Sequence, residues 1–279
     1  MFAVQNTGMV TFPDFHTAWH FDDKVGQKYL FEGINAPLVP SYVFYDKASA
    51  LAWTEETDFP KVFKLRGGAG SANVKLVKTK AQARKLIRRA FRSGFENFDR
   101  WGTFRERVRK FKWSKSGVVD LAKGVARFLY PPHYSKVMGK ERGYVYFQDF
   151  IPNNAYDTRI IVIDGKAFGL RRYVRKNDFR ASGSGSFAYE RELFDERCIK
   201  LSFEMTEKIG SQCAAYDFVF GKNDEPLVVE ISYGFSPAGY EDCPGYWDSD
   251  LNWHEERFNS QDWMVDLVLK QIAKQKAEA

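Results

Sequence analysis

The sequence predicts an α+β fold built mainly from antiparallel hairpins, and two observations predict it. The second half alternates apolar runs with tight turn signals: Thr158 to Ile163 and Lys166 to Val174 flank Asp164-Gly165, while Cys213 to Phe220 and Leu227 to Tyr233 flank GKNDEP. Around these runs lie segments with apolar residues at helical spacing and capping residues at their starts.

From the N-terminus, Asp22 or Asp23 caps a helix running to about Glu32 with Gly33 in the C′ place, and Leu38 to Tyr45 reads as a strand. A short helix follows from Asp46. Phe59-Pro60 leads into a strand over Lys61 to Leu65, the glycine-rich turn RGGAGS, and a second strand over Asn73 to Lys78. Thr79 and Gln82 form a T-x-x-Q capping box, and Ala83, Leu86, Ile87, Ala90 and Phe91 then follow at helical spacing before Gly94. Residues 95–143 show weak periodicity and many aromatics, and read as an inserted helical excursion with a basic character. Tyr144 to Gln148 is a strand ahead of the first hairpin. The basic loop RKNDFRASGSGSF and a helix over Phe194 to Ile209, with Cys198, Leu201, Met205 and Ile209 on one stripe, separate the hairpins. An amphipathic helix carrying Met264, Leu267, Val268 and Ile272 closes the chain.

Length and composition narrow the class. With 279 residues, 44% hydrophobic and 16% aromatic, the chain has enough material for one large or two small domains. No window approaches the roughly 18 uninterrupted apolar residues of a membrane span, so no transmembrane segment is expected. The start, MFAVQNTGMVTFPDFHTAWHF, lacks the basic and apolar regions of a secretory signal. Cys198, Cys213 and Cys243 form no CxxC pair, which suits a reducing compartment, and the expected location is cytoplasmic. The net charge of +6 hides a segregation: Lys78–Gly143 holds 19 of the 42 Lys+Arg but 5 of the 36 Asp+Glu. That segment suggests a polyanion, an acidic substrate or an anionic membrane surface as a neighbour.

Two carboxylates meet across the second hairpin. If Gly221 opposes Pro226, Asp217 stands directly across from Glu230, with Cβ atoms about 4.5–5.5 Å apart, where like charges destabilise a sheet. One carboxylate is then protonated, a basic side chain lies between them, or a hard divalent cation bridges them; a slipped register would instead leave both in solvent. The apolar flanks Ala214, Ala215, Phe218, Val219, Leu227, Val228, Val229 and Ile231 indicate burial, where charges need partners, so a cation site is the better reading. Ser232 shares the face of Glu230 and adds a third oxygen. In the first hairpin, Ile163 opposite Lys166 places Asp157 across from Arg172, with Arg159 on the same side. A structural ion pair is the plain interpretation, although Arg171, Arg172, Arg175 and Arg180 make a dense set of planar donors suited to phosphate or carboxylate.

Other signals are weaker. RGGAGS offers backbone N–H groups that can approach phosphates closely, but it is neither a Walker A nor a Rossmann fingerprint, and a plain hairpin turn competes; Lys64 at the end of the preceding strand favours phosphate. His16 and His20 are spaced i, i+4 without the Glu of HExxH, which argues against catalytic zinc. The stretch YEDCPGYWDSDLNW could stack on a sugar, although packing against the body of the protein is the commoner use of Trp and Tyr.

The ordered set of DDK before a helix, FPKVFKLRGGAGSANVKLV, YVYFQDFIPNNAYDTRIIVIDGKAFGLRRYVRKNDFRASGSGSF, AAYDFVF and EPLVVEIS resembles the ATP-grasp superfamily. Within it, the likeness is to the ribosomal-protein glutamate ligase and glutathione synthetase branch of ATP-dependent carboxylate–amine ligases, over roughly Asp22 to Pro237. The resemblance implies an α+β ATP-grasp fold, two subdomains gripping ATP between mainly antiparallel sheets. It implies that Lys24 and Lys64 reach the ATP phosphates under a lid of Gly67, Gly68, Gly70 and Ser71. Gln148, Asp149, Phe150 and Ile151 match the hinge whose backbone reads adenine, and Asp157 and Arg159 match a D-x-R pair. Arg172 matches an arginine directed at the γ-phosphate or acyl phosphate, and Arg180 the arginine of an F-R-A-N segment. Asp217 and Glu230 coincide with the magnesium carboxylates. Two departures stand out: Ser232 replaces the asparagine of E-x-N, and Ser182 that of F-R-A-N. Some 20 residues precede Lys24, where the family usually carries an α/β domain, so the resemblance implies a short form or a fragment.

The expected organisation is a truncated N-terminal segment over 1–45, a small subdomain with the glycine lid over 46–94, the basic aromatic-rich insertion over 95–143, and a large subdomain with the metal site over 144–279. The expected activity is an ATP- and Mg²⁺-dependent amide-forming ligase working through an acyl phosphate, with one or two metal ions. Its partners would be a small-molecule or sugar-linked carboxylate and an amine, with homo-oligomerisation open. Two rivals differ in class: a kinase for a sugar hydroxyl, motivated by Trp247 and Trp253, and a non-catalytic ATP-binding module docking on a polyanion through Trp101, Arg105, Arg107, Arg109, Phe111 and Trp113. The tail CPGYWDSDLNWHEERF also resembles bacterial ATP-grasp proteins of surface-polysaccharide synthesis.

Overall fold

Residues 1–67, 73–96, 137, 139–175, 178–183 and 185–278 are described by a computed structural model. The chain opens with helices α1 (Phe2–Gln5), α2 (Phe15–Ala18) and α3 (Lys24–Gly33). There follow β1 (Ser41–Phe44), α4 (Lys47–Glu56), β2 (Lys61–Lys64), β3 (Val74–Val77), α5 (Lys80–Ala90), β4 (Phe95–Glu96), β5 (Lys140–Glu141) and β6 (Val145–Asp149). The remainder comprises β7 (Tyr156–Ile163), β8 (Lys166–Tyr173), β9 (Phe187–Ala188), α6 (Glu196–Ile209), β10 (Cys213–Phe220), β11 (Pro226–Ser232), β12 (Tyr246–Asp248), β13 (Trp253–His254) and α7 (Ser260–Glu278).

Two compact units emerge, Pro40–Phe150 and the pair of segments Met1–Val39 with Ile151–Ala279. The expected divisions at 45/46 and 143/144 differ from these, and the reason is sheet membership. β6 pairs with β1 and β2 rather than with the later strands, and Leu38 forms a parallel bridge to Val228, tying the N-terminal segment to the second half.

In the smaller unit, an antiparallel sheet runs in the order β1-β6-β2-β3. Phe63, Val145 and Phe147 on one of its faces pack against Ala83, Ile87 and Ala90 of α5. Thr79 caps α5 by accepting from the Gln82 N–H at 3.3 Å, but Gln82 Oε1 accepts from Lys78 N–H at 2.8 Å, so the reciprocal half of the expected capping box lands one residue early. The ends of the basic insertion pair as β4 and β5; its residues 97–136, including Trp101 to Trp113, lie outside the described residues.

In the larger unit, the sheet order is β11-β10-β7-β8-β12-β13, with β9 on β8. Both faces are covered, which explains the nearly continuous apolar runs. One face, carrying Ile160, Val162, Ala214, Tyr216 and Phe218, packs on Cys198, Ile199, Met205 and Ile209 of α6 and on Phe31 of α3. The opposite face is apolar at one end, where Ile161, Ile163, Phe168, Leu170, Cys213 and Ala215 meet Tyr240, Cys243, Tyr246, Phe258 and Trp263. Asp195 caps α6 by accepting from Arg197 N–H, and left-handed Gly210 (φ 70°) ends it. α3 starts at the Asp23 cap but runs through Gly33, and the left-handed residue after it is Asn35. Asp164 and Gly165 both have positive φ, as the tight turn of type I′ requires.

The turn after β10 corrects one expectation. Pro226 pairs with Phe220, not Gly221, so the register at the hairpin end is out by one residue. A bulge between Asp217 and Phe218 absorbs Val229 and restores the expected pairing of Asp217 with Glu230 and Ala215 with Ser232.

Candidate active site

The site is the far end of the same sheet face. Because side chains alternate along a strand, Ile161 and Ile163 on β7 share their face with Asp157 and Arg159, and Cys213 and Ala215 on β10 share theirs with Asp217. β8 contributes Arg172, and β11 contributes Glu230 and Ser232. The register places Asp157 opposite Arg172, Asp217 opposite Arg159 on one side, and Asp217 opposite Glu230 on the other.

Arg172 donates from Nε and Nη2 to both oxygens of Asp157 at 2.6 and 2.7 Å. Arg159 donates to both oxygens of Asp217 at 2.5 and 2.8 Å, and Arg172 Nη2 also reaches Asp217 Oδ2 at 2.7 Å. The outcome is a chain, Asp157–Arg172–Asp217–Arg159, buried at its two central members, with Asp217 only 7% exposed, and half-buried at its two ends. Burial works against the ionised Asp217, yet the Arg159 and Arg172 charges outweigh it and hold its carboxyl well below the usual carboxylate range. Asp157 goes the other way: burial pushes its carboxyl up, and Arg172, shared with Asp217, only partly counters that. The repulsion foreseen between Asp217 and Glu230 is therefore met by guanidinium groups on one carboxylate and by a lysine on the other.

That lysine is Lys24 at the start of α3. Its Nζ lies 3.2 Å from Glu230 Oε1 and 3.4 Å from Asp22 Oδ1, and although burial favours the neutral amine, the two carboxylates outweigh it and raise the pKa. Asp22 adopts left-handed φ (52°), which a short polar side chain tolerates. The helix start is held by Gln27, whose Nε2 donates to the His20 and Ile231 carbonyls at 3.0 and 2.9 Å.

The remaining predicted residues are placed elsewhere. Lys64 and Gln148 meet in the smaller unit, Nζ donating to Oε1 at 2.6 Å. Asp149 points to the opposite face and pairs with Lys61 at 2.6 Å, while its N–H donates to the Pro40 carbonyl. Phe150 ends the smaller unit and Ile151 begins the return to the larger one. Arg180 pairs with its near neighbour Asp178 through bonds of 2.6–3.0 Å. Gly67 is described, whereas Gly68, Gly70 and Ser71 lie outside the described residues.

Asp217, Glu230 and Ser232 present two carboxylates and a hydroxyl on one face. Three N–H bonds leave Asp217 about one lone pair, and Ser232 Oγ accepts from Gly234 N–H at 3.1 Å. This sparse oxygen set fits Mg²⁺, which is held by one or two carboxylates and completed by phosphate oxygens and water, rather than a dedicated cage. Among the described residues no group of three or more His, Cys, Asp and Glu side chains is placed to hold a metal. His20 is buried, and burial lowers its pKa to about 4, which keeps it neutral.

Two findings went beyond the sequence. Tyr240 lies in hydrogen-bonding contact with Arg159, and burial raises its phenol pKa; its signal was the aromatic, acidic stretch that contains it. That stretch is a packing element: Trp247 is 5% exposed in the α6-covered core, 4.6 Å from Trp253 centroid to centroid. This burial removes the sugar-stacking role expected of Trp247, whereas Trp253 is only partly buried. No helix among the described residues is long and apolar enough to cross a membrane.

Residues 133–241 match the family of the RimK-like ATP-grasp domain. No curated protein matches the chain. Among solved structures, a RimK domain protein ATP-grasp from Sphaerobacter thermophilus is similar over 91% of this chain and 69% of its own, with TM-score 0.52 and 15% identity. The ATP-grasp ligase PsnB, complexed with minimal precursor, is similar over 96% and 65% (TM-score 0.53, 14% identity). A biotin carboxylase from Campylobacter jejuni in a β,γ-ATP complex is similar over 80% and 43% (TM-score 0.51, 14% identity). The chain thus spans between under half and about two thirds of the length of these proteins, and at such identities the likeness is one of fold.

Proposed function

From an ATP-grasp fold with a RimK-like domain over residues 133–241, we propose that this chain is an ATP- and Mg²⁺-dependent carboxylate–amine ligase. The observation that carries the reading is the Asp157–Arg172–Asp217–Arg159 chain, buried at Arg172 and Asp217, with Lys24 and Glu230 beside it on the same unit. The chain matches two arginines to two carboxylates, but Arg159 and Arg172 both converge on Asp217; two fixed guanidinium groups side by side suit charge that develops on a transferring phosphoryl group.

In this reading a substrate carboxylate oxygen attacks the γ-phosphorus of ATP, the bond to the ADP oxygen breaks, and an acyl phosphate forms. The amine nitrogen then attacks the acyl carbon, the carbon–oxygen bond to phosphate breaks, and the nitrogen gives up a proton to leave an amide. Lys24 and Lys64 neutralise phosphate charge, Arg172 orients the transferred group, and Arg159 holds Asp217 ionised. Arg180 lies on the segment after β8, where it would face the acyl phosphate after exchanging Asp178. Glu230 with Asp217 and Ser232 would hold Mg²⁺, which when bound would supply charge neutralisation on the phosphates. Catalysis is then mostly positioning.

The test is ADP formation over pairs of acids and amines, with uronic acids and peptide carboxylates among the acids; PsnB was solved with a precursor peptide. Mass spectrometry should find an amide and free phosphate, and Glu230→Gln should reduce ADP release at least about a hundredfold, the scale for lost electrostatic stabilisation of a transition state. ADP release that survives Glu230→Gln would remove the metal assignment, and a phosphoester product would replace the ligase by a kinase.

A further inference from the structure

We propose that Ser41, Tyr146 and the side chain of Gln148 form a positioning relay that aims the Lys64 ammonium, and that this relay sets the affinity of the chain for the phosphates of ATP. The inference rests on the reading of Lys64 as a phosphate ligand, and it gives Gln148 a side-chain role in addition to its place in the hinge motif.

The four residues are brought together by register within the smaller unit. Ser41 on β1 stands directly opposite Gln148 on β6, and Tyr146, two residues earlier on β6, stands directly opposite Lys64 on β2. Alternation puts all four on one face of the sheet, opposite the face that packs on α5. There they are joined by four hydrogen bonds. Lys64 Nζ donates to Gln148 Oε1 at 2.6 Å, Gln148 Nε2 donates to Ser41 Oγ at 3.1 Å and to Tyr146 Oη at 3.3 Å, and Tyr146 Oη–H donates to Ser41 Oγ at 2.9 Å.

The chemistry of an amide makes this arrangement directional. Gln148 has one acceptor oxygen and one NH₂ group with two donors. Both donors are met by hydroxyl oxygens, Ser41 Oγ and Tyr146 Oη. The carbonyl oxygen is thereby forced toward Lys64; a flipped amide would turn its NH₂ against an ammonium. Lys64, Gln148 and Tyr146 are 6%, 2% and 2% exposed, so water is a poor substitute partner. A lysine has a flexible four-carbon stem with considerable rotamer freedom. Holding Nζ on a fixed oxygen at the last residue of β2, three residues before Gly67, removes that freedom before the nucleotide arrives.

Isothermal titration of MgATP and, separately, of adenosine into the full chain tests the relay, since adenosine lacks the groups that Lys64 would contact. Lys64→Met should weaken MgATP at least about tenfold and leave adenosine within about twofold. Tyr146→Phe and Ser41→Ala should each weaken MgATP by about three- to tenfold, the range of one net hydrogen bond, with adenosine unchanged. In the Lys64→Met background, Tyr146→Phe should add nothing, because the group it aims is gone. The proposal is overturned if the Tyr146 and Ser41 variants keep the wild-type ratio of MgATP to adenosine affinity, if they weaken both ligands equally, or if Tyr146→Phe costs as much on Lys64→Met as on wild type. A Lys64→Met variant with undiminished MgATP affinity would instead remove Lys64 from the phosphate site, a failure of the underlying reading that the other variants do not mimic. Ser41→Ala, at a half-buried position, keeps the test available should Tyr146→Phe fail to fold.

Discussion

Asp217→Asn removes the charge from a carboxylate that two guanidinium groups share, and the structure sets the size of the effect. The side chain accepts at 2.5 and 2.8 Å from Arg159 and at 2.7 Å from Arg172, almost out of contact with water. An asparagine keeps one acceptor oxygen and turns an NH₂ toward an arginine, so two buried cations lose their shared partner. Breaking a buried pair in this way costs about 3–5 kcal/mol. Asp157→Asn should cost less than Asp217→Asn, although Asp157 also makes two short bonds to Arg172, because burial works against the charge of its carboxyl and only one guanidinium is left without it. Urea unfolding followed by tryptophan emission, to which the buried Trp247 contributes, measures both variants on the larger unit. Equal costs for the two variants, or an Asp217→Asn cost under about 1 kcal/mol, would refute the account of how the charge is shared.

The pH dependence of the same transition separates the two carboxylates again. The folded pKa of Asp217 is depressed, so its contribution is fully present above the ordinary carboxylate value of about 3.9 and is lost only as pH falls through the lower folded value. The folded pKa of Asp157 is raised, so its penalty is present at neutral pH and is relieved as pH falls through that raised value toward about 3.9. Acidification toward pH 5 should therefore take nothing from Asp217, and the Asp157 contribution should be missing from the profile of Asp157→Asn.

Two further substitutions test the packing that frames the site. Trp247→Ala should destabilise the chain by about 3–5 kcal/mol in urea while leaving the KM of the acid substrate unchanged, as a core residue requires and a sugar platform does not. Gly169→Ala should cost about 1–3 kcal/mol, because a Cβ there would lie 2.7 Å from the Arg159 carbonyl oxygen and 2.9 Å from atoms of Ile160 and Phe194; a wild-type urea midpoint would show that the strand spacing at Arg159 is loose.

Much of the fold was legible because both hairpins carry local signals. Asp164-Gly165 fixes the β7–β8 register outright, and the 3.6 periodicity before Gly94 and Gly210 marks α5 and α6. Unit membership was not legible: β6 follows the insertion in sequence but pairs with β1 and β2, and no local pattern announces pairings across roughly 80 to 110 residues. The aromatic tail was ambiguous for a different reason. Trp and Tyr serve packing and recognition equally well, and only the apolar end of the sheet, waiting for Tyr240, Tyr246 and Trp263 to cover it, decides between them.

The carboxylate pair shows where such reasoning reaches its limit. Asp217 does face Glu230, but the expected turn was out by one residue, and the bulge at Val229 restored the pairing. A bulge has no reliable signature in a run such as Leu227, Val228 and Val229, since any of these residues packs equally well on either face. What offsets the repulsion was equally hidden, because it depends on the neighbour on the other side. A hairpin reveals which residues oppose each other within it, whereas the order β11-β10-β7 is a property of the whole sheet. Only when β10 is known to lie beside β7 does Arg159 come opposite Asp217 and Arg172 come within reach from β8, and the like-charge pair, buried at Asp217 and half-buried at Glu230, then becomes a set in which each carboxylate has its own cation.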